Sequence, residues 1–310
     1  MLYILVGRDG RPSMKKVFAH LKLDSQLVVR RIPPGKTGYL RVYTEGETNK
    51  YKKRPISELT LEGRKVIRWG NRIEAEKGDN TIVYNKAEAI AKATDKKLSR
   101  ELFIKAKVRT PKLVTPDNIN ETDYPVIARP SRHAKGKNFI VLKNRETFVK
   151  HFRTNQASGW YYSQFINKQR EFRVHCAHGK IIAVMEKGKG ADNIAWNRAV
   201  TGESFTRISQ SDYHYSVCFQ ALKAIETLGL DFGGVDVMLF GKEGFVLEVN
   251  TSPTLNSSDY VSEQYAKYFD WLNRSDKRRQ HWDFKKFENP TSFAWKNFQY
   301  MDEKNTKVEL

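Results

Sequence analysis

Cysteine is nearly missing from this sequence: Cys176 and Cys218 are the only two in 310 residues. Two thiols cannot staple a chain of this length, and their spacing matches no metal-ligand pattern. No apolar run approaches the roughly 20 residues that a membrane-spanning helix needs. The opening stretch MLYILVGRDG has neither the basic start nor the long apolar core of a secretion signal, and LYILV reads as a first strand. Internal repeats and low-complexity linkers are missing too. These absences exclude a disulfide-framed secreted scaffold and a membrane protein, and the expected location is a reducing cytoplasm. Acidic residues are the other scarcity, 35 against 55 Lys and Arg, which leaves a formal charge of +20. The 39% hydrophobic and 12% aromatic content is enough for a packed core and argues against global disorder. At this length about two domains are expected.

The charge is not spread evenly. Residues 1–100 hold 23 basic and 11 acidic side chains, 101–150 hold 11 and 5, and 151–200 hold 8 and 3. Residues 201–250 reverse the sign, with 3 basic and 7 acidic, and the last 60 are nearly neutral at 10 and 9. A strongly basic front is set against a short acidic block, so a polyanionic partner is expected: phosphates, an acidic macromolecule or a nucleic acid.

Local patterning outlines the elements. Leu2–Val6, 27–32 and Lys65–Trp69 read as strands, the second stopped by Pro33-Pro34-Gly35. Asn85 followed by Glu88 resembles a capping box for a helix of Ala and Lys. A second helix from Thr94 or Asp95 carries Leu98, Leu102, Phe103 and Ala106 on one face and ends before Pro111. Strands are expected at 125–128 and 139–142 around the basic loop SRHAKGK, then a helix over 145–154. Strands at 161–166, 172–177 and 180–186 follow, then a helix over 213–228 stopped by Gly229. His133, His175 and His178 have no ligand spacing and read as loop or surface histidines. The two cysteines read as inert thiols. The chain from Gln264 onward carries 11 of the 37 aromatic residues, too many for a solvated tail, and is expected to pack on the body.

The most informative stretch is GGVDVMLFGKEGFVLEVN, a hairpin from Gly234 to Asn250. Alternation puts Val235, Val237 and Leu239 on one face of its first strand, and Phe245, Leu247 and Val249 on one face of its second. A three-residue loop, Lys242-Glu243-Gly244, with Gly244 left-handed, would set Asp236 opposite Asn250 and Glu248 one diagonal step away. The other face then gathers Asp236, Glu248 and Asn250 beside Met238, Phe240 and Val246. Two carboxylates converging on a partly apolar face repel unless a cation joins them, and hard oxygen donors suit Mg²⁺, which shares its shell with phosphates.

Asp236, Glu248 twelve residues on, and Asn250 in the string EVNTSP resemble the magnesium signature of ATP-grasp enzymes, closest to the ribosomal-protein glutamate ligase and glutathione synthetase branch. The resemblance runs from about Asn85 to Pro253 and includes TDKKLSRELFIKAKVRTP, PVIARPSRHAKGKNFIV and YYSQFINKQREFRVHCAHGKIIAV. It implies an α+β fold in which two α+β lobes clamp ATP. Residues 1–84 would form an α/β pre-ATP-grasp domain, 85–263 the ATP-grasp domain, and 264–310 an aromatic-rich extension packed on the body.

The resemblance also assigns roles. Lys96 and Arg129 would hold the α- and β-phosphates. Gln164, Phe165 and Ile166 would form the adenine hinge, and Glu171 would accept from the ribose hydroxyls. Arg173 would reach the transferring phosphate, with Asn197 nearby. Asp236, Glu248 and Asn250 would ligate Mg²⁺, with Mn²⁺ as the alternative ion. Three departures stand out: Arg129 where the family has lysine, a loop with only one glycine, and Ala195 in place of an arginine two residues before Asn197. The implied activity is ATP-dependent joining of a carboxylate to an amine through an acyl phosphate. The rival readings are a nucleic-acid-binding protein using the basic front, and an ATP-grasp kinase that stops at phosphoryl transfer.

Overall fold

The computed structural model describes residues 2–7, 10–21, 25–31, 39–43, 52–55, 63–72, 80–131, 139–155, 159–188, 205–255 and 259–274. The first unit begins with β1 (Leu2–Val6), α1 (Arg11–Ala19) and β2 (Ser25–Arg31). It continues through β3 (Tyr39–Tyr43), β4 (Lys52–Pro55), β5 (Lys65–Trp69) and β6 (Ile82–Tyr84). These strands form one sheet in the order β4-β3-β2-β1-β5-β6, parallel from β2 through β6 and antiparallel at β3 and β4. β1 and β5 are nearly continuous apolar runs, as expected for parallel strands covered by other elements.

Next come α2 (Ala87–Thr94), α3 (Lys96–Lys105), β7 (Val126–Pro130), β8 (Ile140–Leu142), α4 (Arg145–Asn155) and β9 (Trp160–Gln164). β7 is central in a small antiparallel sheet, β8-β7-β9, with its own core of Val126, Ala128, Leu142, Phe148 and Tyr162. The chain then builds β10 (Arg170–Ala177), β11 (Lys180–Lys187), β12 (Phe205–Arg207), α5 (Tyr215–Leu228), β13 (Phe232–Phe240), β14 (Glu243–Asn250) and α6 (Asp259–Asn273). The strands order as β12-β11-β10-β13-β14, all antiparallel. One face of this sheet packs on α2, α3 and α5 through Val174, Val235, Val237, Val246, Ala221 and Ile225. Gly229 stops α5 with φ +70, as the sequence predicts.

The aromatic helix α6 joins the first sheet to the third. Trp69 of β5 stacks on Phe232 of β13 at 5.7 Å and meets Tyr265 edge-on at 5.0 Å. Tyr265, Tyr268 and Phe269 are fully buried in the same cluster as Ile4, Met14, Phe18 and Met185. Residue 264, where the C-terminal extension is expected to start, lies inside α6, and 275–310 fall outside the described residues. The junction is tight at Ser252, which wedges between Gly10 and Gly70. A Cβ at Gly10 would come within 2.4 Å of Ser252 Oγ, and one at Gly70 within 2.6 Å of its Cβ. Ser13 Oγ accepts from the Leu255 N–H at 3.0 Å.

Several expectations change. The strands β3, β4 and β6 add to those predicted, because they are short or polar and are completed by pairing across the sheet; α1, β12 and the helix α6 are further additions. Asn85 does not cap α2, whose N-cap is Lys86. Asn85 is fully buried with φ 57, and its Oδ1 accepts from Asp231 N at 2.8 Å and Phe232 N at 3.2 Å, while Nδ2 donates to Phe232 O at 3.0 Å. It therefore ties the end of the first unit to the start of β13. Glu88 instead pairs with Lys92 one helical turn on, at 2.6 Å. His175 is no surface histidine. It lies buried in β10 with Nδ1 3.1 Å from the Tyr265 hydroxyl, and burial, aided by Arg173, drops its pKa to about 3. Cys176 and Cys218 are free and buried, which pushes both thiols up, Cys218 to about 12. No helix among the described residues is long and apolar enough to cross a membrane.

Two outcomes are expected. Asn85→Ala orphans three buried hydrogen-bonding groups and should cost about 3 kcal/mol in urea unfolding. His175 stays neutral when folded but takes a proton near its ordinary value of 6.5 when unfolded. The unfolded state therefore binds more protons below that pH, so this contribution is complete above pH 6.5 and falls by about 1.4 kcal/mol per pH unit as pH drops toward 3. Urea unfolding at pH 7 and pH 5 should show a smaller difference for His175→Gln than for the parent.

Candidate active site

The other face of the third sheet opens toward β7 and α3, and the hairpin β13–β14 carries its acids. The hairpin closes in two residues, Gly241 and Lys242, with Phe240 opposite Glu243 and Gly241 at φ +59. The predicted three-residue loop is thus corrected. Gly244 is needed for a different reason: a Cβ there would lie 2.9 Å from Ser216 O and Val217 Cα of α5. From the turn the ladder runs to Val237 opposite Val246, then shifts, and Asp236 faces Glu248 with Leu247 as the extra residue of a bulge. Asp236 therefore does not face Asn250, which pairs with Gly234. Val246 moves to the core face and Phe245 to the opposite one. The bulge restores the phase, so Asp236, Glu248 and Asn250 still share the open face.

A buried arginine holds the bulge. Arg100, one turn beyond Lys96 on α3, donates from Nη2 to Leu247 O at 3.1 Å and from Nη1 to Pro111 O at 3.4 Å. Its guanidinium lies 5.5 Å from the Tyr161 ring centroid, and burial lowers its pKa. Thr110 Oγ1 donates to Val246 O at 2.8 Å on the same edge.

Each acid of the site has a cation. Arg173 of β10, directly opposite Asp236 in the ladder, grips it with a two-pronged bond, Nε to Oδ1 at 2.7 Å and Nη2 to Oδ2 at 2.8 Å. Burial opposes the Arg173 charge, but Asp236, Glu248 and Glu171 hold its pKa above the ordinary value. Lys96 pairs with Glu248 Oε2, and Asn250 Nδ2 donates to Glu248 Oε1 at 3.2 Å. Burial would raise the Glu248 carboxyl, yet Lys96, with Arg173 and Asn250, holds it well below the usual range. Lys96 is placed by the start of α3, where Asp95 caps the helix by accepting from Leu98 N at 3.1 Å, and by its own N–H, which donates to Ser131 O at 3.1 Å.

Glu171 is buried, 2% exposed, with Oε1 2.6 Å from Lys187 Nζ and Oε2 2.9 Å from Lys168 Nζ. Burial works against its charge, and the two lysines more than offset that, so its pKa is lowered. Glu171 is thus a strut between two lysines, not an open acceptor. Arg129 on β7 lies over the Phe139 ring at 5.9 Å, and its buried Nε has no hydrogen-bond acceptor among the described residues. At the hinge, Gln164 N donates to Lys112 O at 2.9 Å, Phe165 N to Pro125 O at 3.2 Å, and Ile166 O accepts from Lys168 N at 2.8 Å. Asn197, Ala195 and most of the loop SRHAKGK lie outside the described residues.

The sequence reading overlooked Lys168, Lys187 and Arg100. The register of the β10–β11 hairpin carries the signal for Lys187, since it sets Lys187 opposite Glu171. Arg100 has only its four-residue spacing from Lys96. Lys96, Arg129, Lys168, Arg173 and Lys187 outnumber Glu171, Asp236 and Glu248 by two charges, so the cleft is prepared for an anion. Among the described residues no three His, Cys, Asp or Glu side chains converge on a metal position. Two carboxylates and a carboxamide do converge, and their hard oxygens fit Mg²⁺. The cations that neutralise them are the ones phosphates would draw away, and the orphaned Arg129 donor fits a phosphate oxygen.

Comparison with known proteins bears on the family and the fold. Residues 93–268 match the RimK-like ATP-grasp domain. A probable alpha-L-glutamate ligase of Haemophilus influenzae is 26% identical over 198 residues, covering 60% of this chain and 64% of that one. The chain thus spans just under two thirds of such relatives' length. Among solved structures, the D-Ala:D-Ser ligase VanG of Enterococcus faecalis superposes with TM-score 0.61 at 15% identity, over 86% of this chain and 98% of that one. The ATP-grasp ligase PsnB complexed with a minimal precursor gives 0.56 at 14%, over 86% and 97%. At such identities the structures speak for the fold, which is the α+β ATP-grasp fold. With residues 93–268, more than half of its length, matched, this chain belongs to the RimK-like ATP-grasp family.

Proposed function

We propose that the protein is an ATP-dependent carboxylate–amine ligase. The observation that carries this reading is the pair Asp236–Glu248, facing each other across the ladder and each matched to a cation, Arg173 or Lys96. ATP would lie between the small β8-β7-β9 sheet and the open face of the third sheet. The hinge 164–166 would hold adenine, and Glu171, released by Lys168 or Lys187, would take the ribose. Arg129 and Lys96 would hold the inner phosphates. Arg173 would turn from Asp236 to the transferring phosphoryl group, where charge spreads over its oxygens. Mg²⁺, or Mn²⁺ in its place, would supply charge neutralisation on Asp236, Glu248 and Asn250. Asn197 is assigned beside the phosphate.

In the first step a substrate carboxylate oxygen bonds to the terminal phosphorus and ADP leaves. In the second an amine attacks the acyl carbon, loses a proton, and expels phosphate to give the amide. The cleft residues position the reactants and exclude water from the acyl phosphate, so no nucleophilic side chain is needed. The first unit, 1–84, would wall the substrate side as a pre-ATP-grasp domain, and a supply of ATP places the reaction in the cytoplasm.

The test is ADP release across a panel of carboxylates, each with and without amines. A ligase releases ADP continuously only when both are present; a kinase needs no amine. Asp236→Asn should lower turnover by about a hundredfold or more. At a hundredfold excess over Kd, ATP with Mg²⁺ should stabilise the parent by about 2.7 kcal/mol, a rise of roughly 4 °C in Tm for a chain of this size. Asp236→Asn should lose most of that rise. Unchanged turnover and an unchanged rise in Asp236→Asn would remove the metal assignment.

A further inference from the structure

The chain that leaves α3 passes from one sheet to another within six residues. Arg109 and Thr110 belong to the third sheet: Val246 N donates to Arg109 O at 2.8 Å, and Thr110 Oγ1 donates to Val246 O at 2.8 Å. Residues 112–114 belong to the small sheet. Gln164 N donates to Lys112 O at 2.9 Å, Leu113 bridges to Ser163, and Val114 N donates to Tyr162 O at 3.0 Å. Pro111 stands between the two sets of bonds. It has no N–H to offer either sheet, and its fixed φ makes it a stiff crossing point.

Arg100 fastens this crossing. Its Nη1 donates to Pro111 O at 3.4 Å and its Nη2 to Leu247 O at 3.1 Å, and its guanidinium carbon lies 5.5 Å from the centroid of the Tyr161 ring. Tyr161, on β9, is directly opposite Arg129 in the small sheet. Leu247 is the bulge residue next to Glu248. One planar group therefore touches the crossing point, the small sheet and the bulge. Arg100 is only 2% exposed, and its buried Nε has no acceptor among the described residues. A buried cation whose bonds go to carbonyls is costly, and an apolar side chain would fill the space without that cost. What arginine alone supplies is a rigid fork that holds two carbonyls of different segments at a set spacing.

Resting on the ligase reading, with its metal ion on Asp236 and Glu248, we propose that Arg100 is a positioning residue: by holding Leu247 O and Pro111 O together, it sets Glu248 for the metal ion and ties that setting to the place of the small sheet. It acts through the bulge and the crossing, and touches neither phosphate nor metal itself. Arg129 on the small sheet and Glu248 on β14 are thereby kept in one spatial relation, as a nucleotide bound through both its phosphates and its metal ion requires.

The test titrates Mn²⁺ into the ADP-loaded protein, followed by electron paramagnetic resonance, and ADP into the protein in EDTA, followed by calorimetry. Arg100→Met should weaken Mn²⁺ binding by about tenfold to a hundredfold, the range for a group that orients a metal ligand from behind. ADP binding in EDTA should stay within about threefold of the parent. Arg100→Lys, a point donor in place of a fork, should fall between the two. Thr110→Val removes a bond to the same strand but leaves the crossing intact, and should bind Mn²⁺ as the parent does. In amide exchange, Arg100→Met should speed Val246, Val114 and Gln164 together, whereas a role confined to the bulge would speed Val246 alone. Unchanged Mn²⁺ binding, equal losses in Mn²⁺ and metal-free ADP binding, or faster exchange at Val246 alone overturns the assignment. Should Arg100→Met not fold, Arg100→Lys is read by the same criteria, with a severalfold loss of Mn²⁺ affinity expected. Should the parent itself take up no Mn²⁺ with ADP present, the metal assignment fails with the ligase reading, and exchange alone decides: joint acceleration upholds the coupling, and acceleration at Val246 alone, or none, overturns it.

Discussion

Two carboxylates facing each other across a β-ladder cannot both stay charged without company, and much of this cleft is organised around that constraint. Asp236 and Glu248 are brought together by the bulge at Leu247, and the bulge leaves a carbonyl that Arg100 captures. Lys96, one helical turn before Arg100, neutralises Glu248, so a single helix secures both the backbone irregularity and the charge it exposes. Arg173 does the same for Asp236 from the neighbouring strand. Each acid of the cleft is thus balanced internally. On the ligase reading, a nucleotide and a metal ion would enter by exchanging these partners, without first separating unscreened charges.

The sequence disclosed those parts of the fold whose signals are local. Leu2–Val6 and Lys65–Trp69 read correctly because buried parallel strands need unbroken apolar runs. Gly229 read correctly because a left-handed stop favours glycine. The hairpin register did not, since Gly244 resembles a turn glycine but is required by the closeness of α5. The face shared by Asp236, Glu248 and Asn250 nevertheless came out right: the shorter turn and the bulge together move the pairing by two residues, which leaves the alternation unchanged. Lys168 carried no signal, and Lys187 only that of the β10–β11 register, because their partner, Glu171, is set by register and burial. Asn85 shows the same limit, its helix-capping pattern overruled by bonds to residues 231 and 232.

The net charge of +20 acquires a more local meaning. Five cations, Lys96, Arg129, Lys168, Arg173 and Lys187, stand against the three carboxylates Glu171, Asp236 and Glu248. The acidic block at 201–250 is where the hairpin carries Asp236 and Glu248, the carboxylates proposed to hold Mg²⁺. Charge asymmetry along the chain has become charge separation across one sheet.

Ser252 gripped between Gly10 and Gly70 has a mechanical consequence. Together with the aromatic packing of α6, it joins the first sheet and the strands that carry Asp236 and Glu248 in one closely packed body. The β8-β7-β9 sheet with α4 has its own separate core and meets that body through short backbone links near residues 96, 112 and 169. Any change in the width of the cleft would therefore be taken up by this lobe and not by the junction at Ser252. Asp236 and Glu248 would then keep their place relative to the first sheet, while Arg129 would move with the smaller sheet.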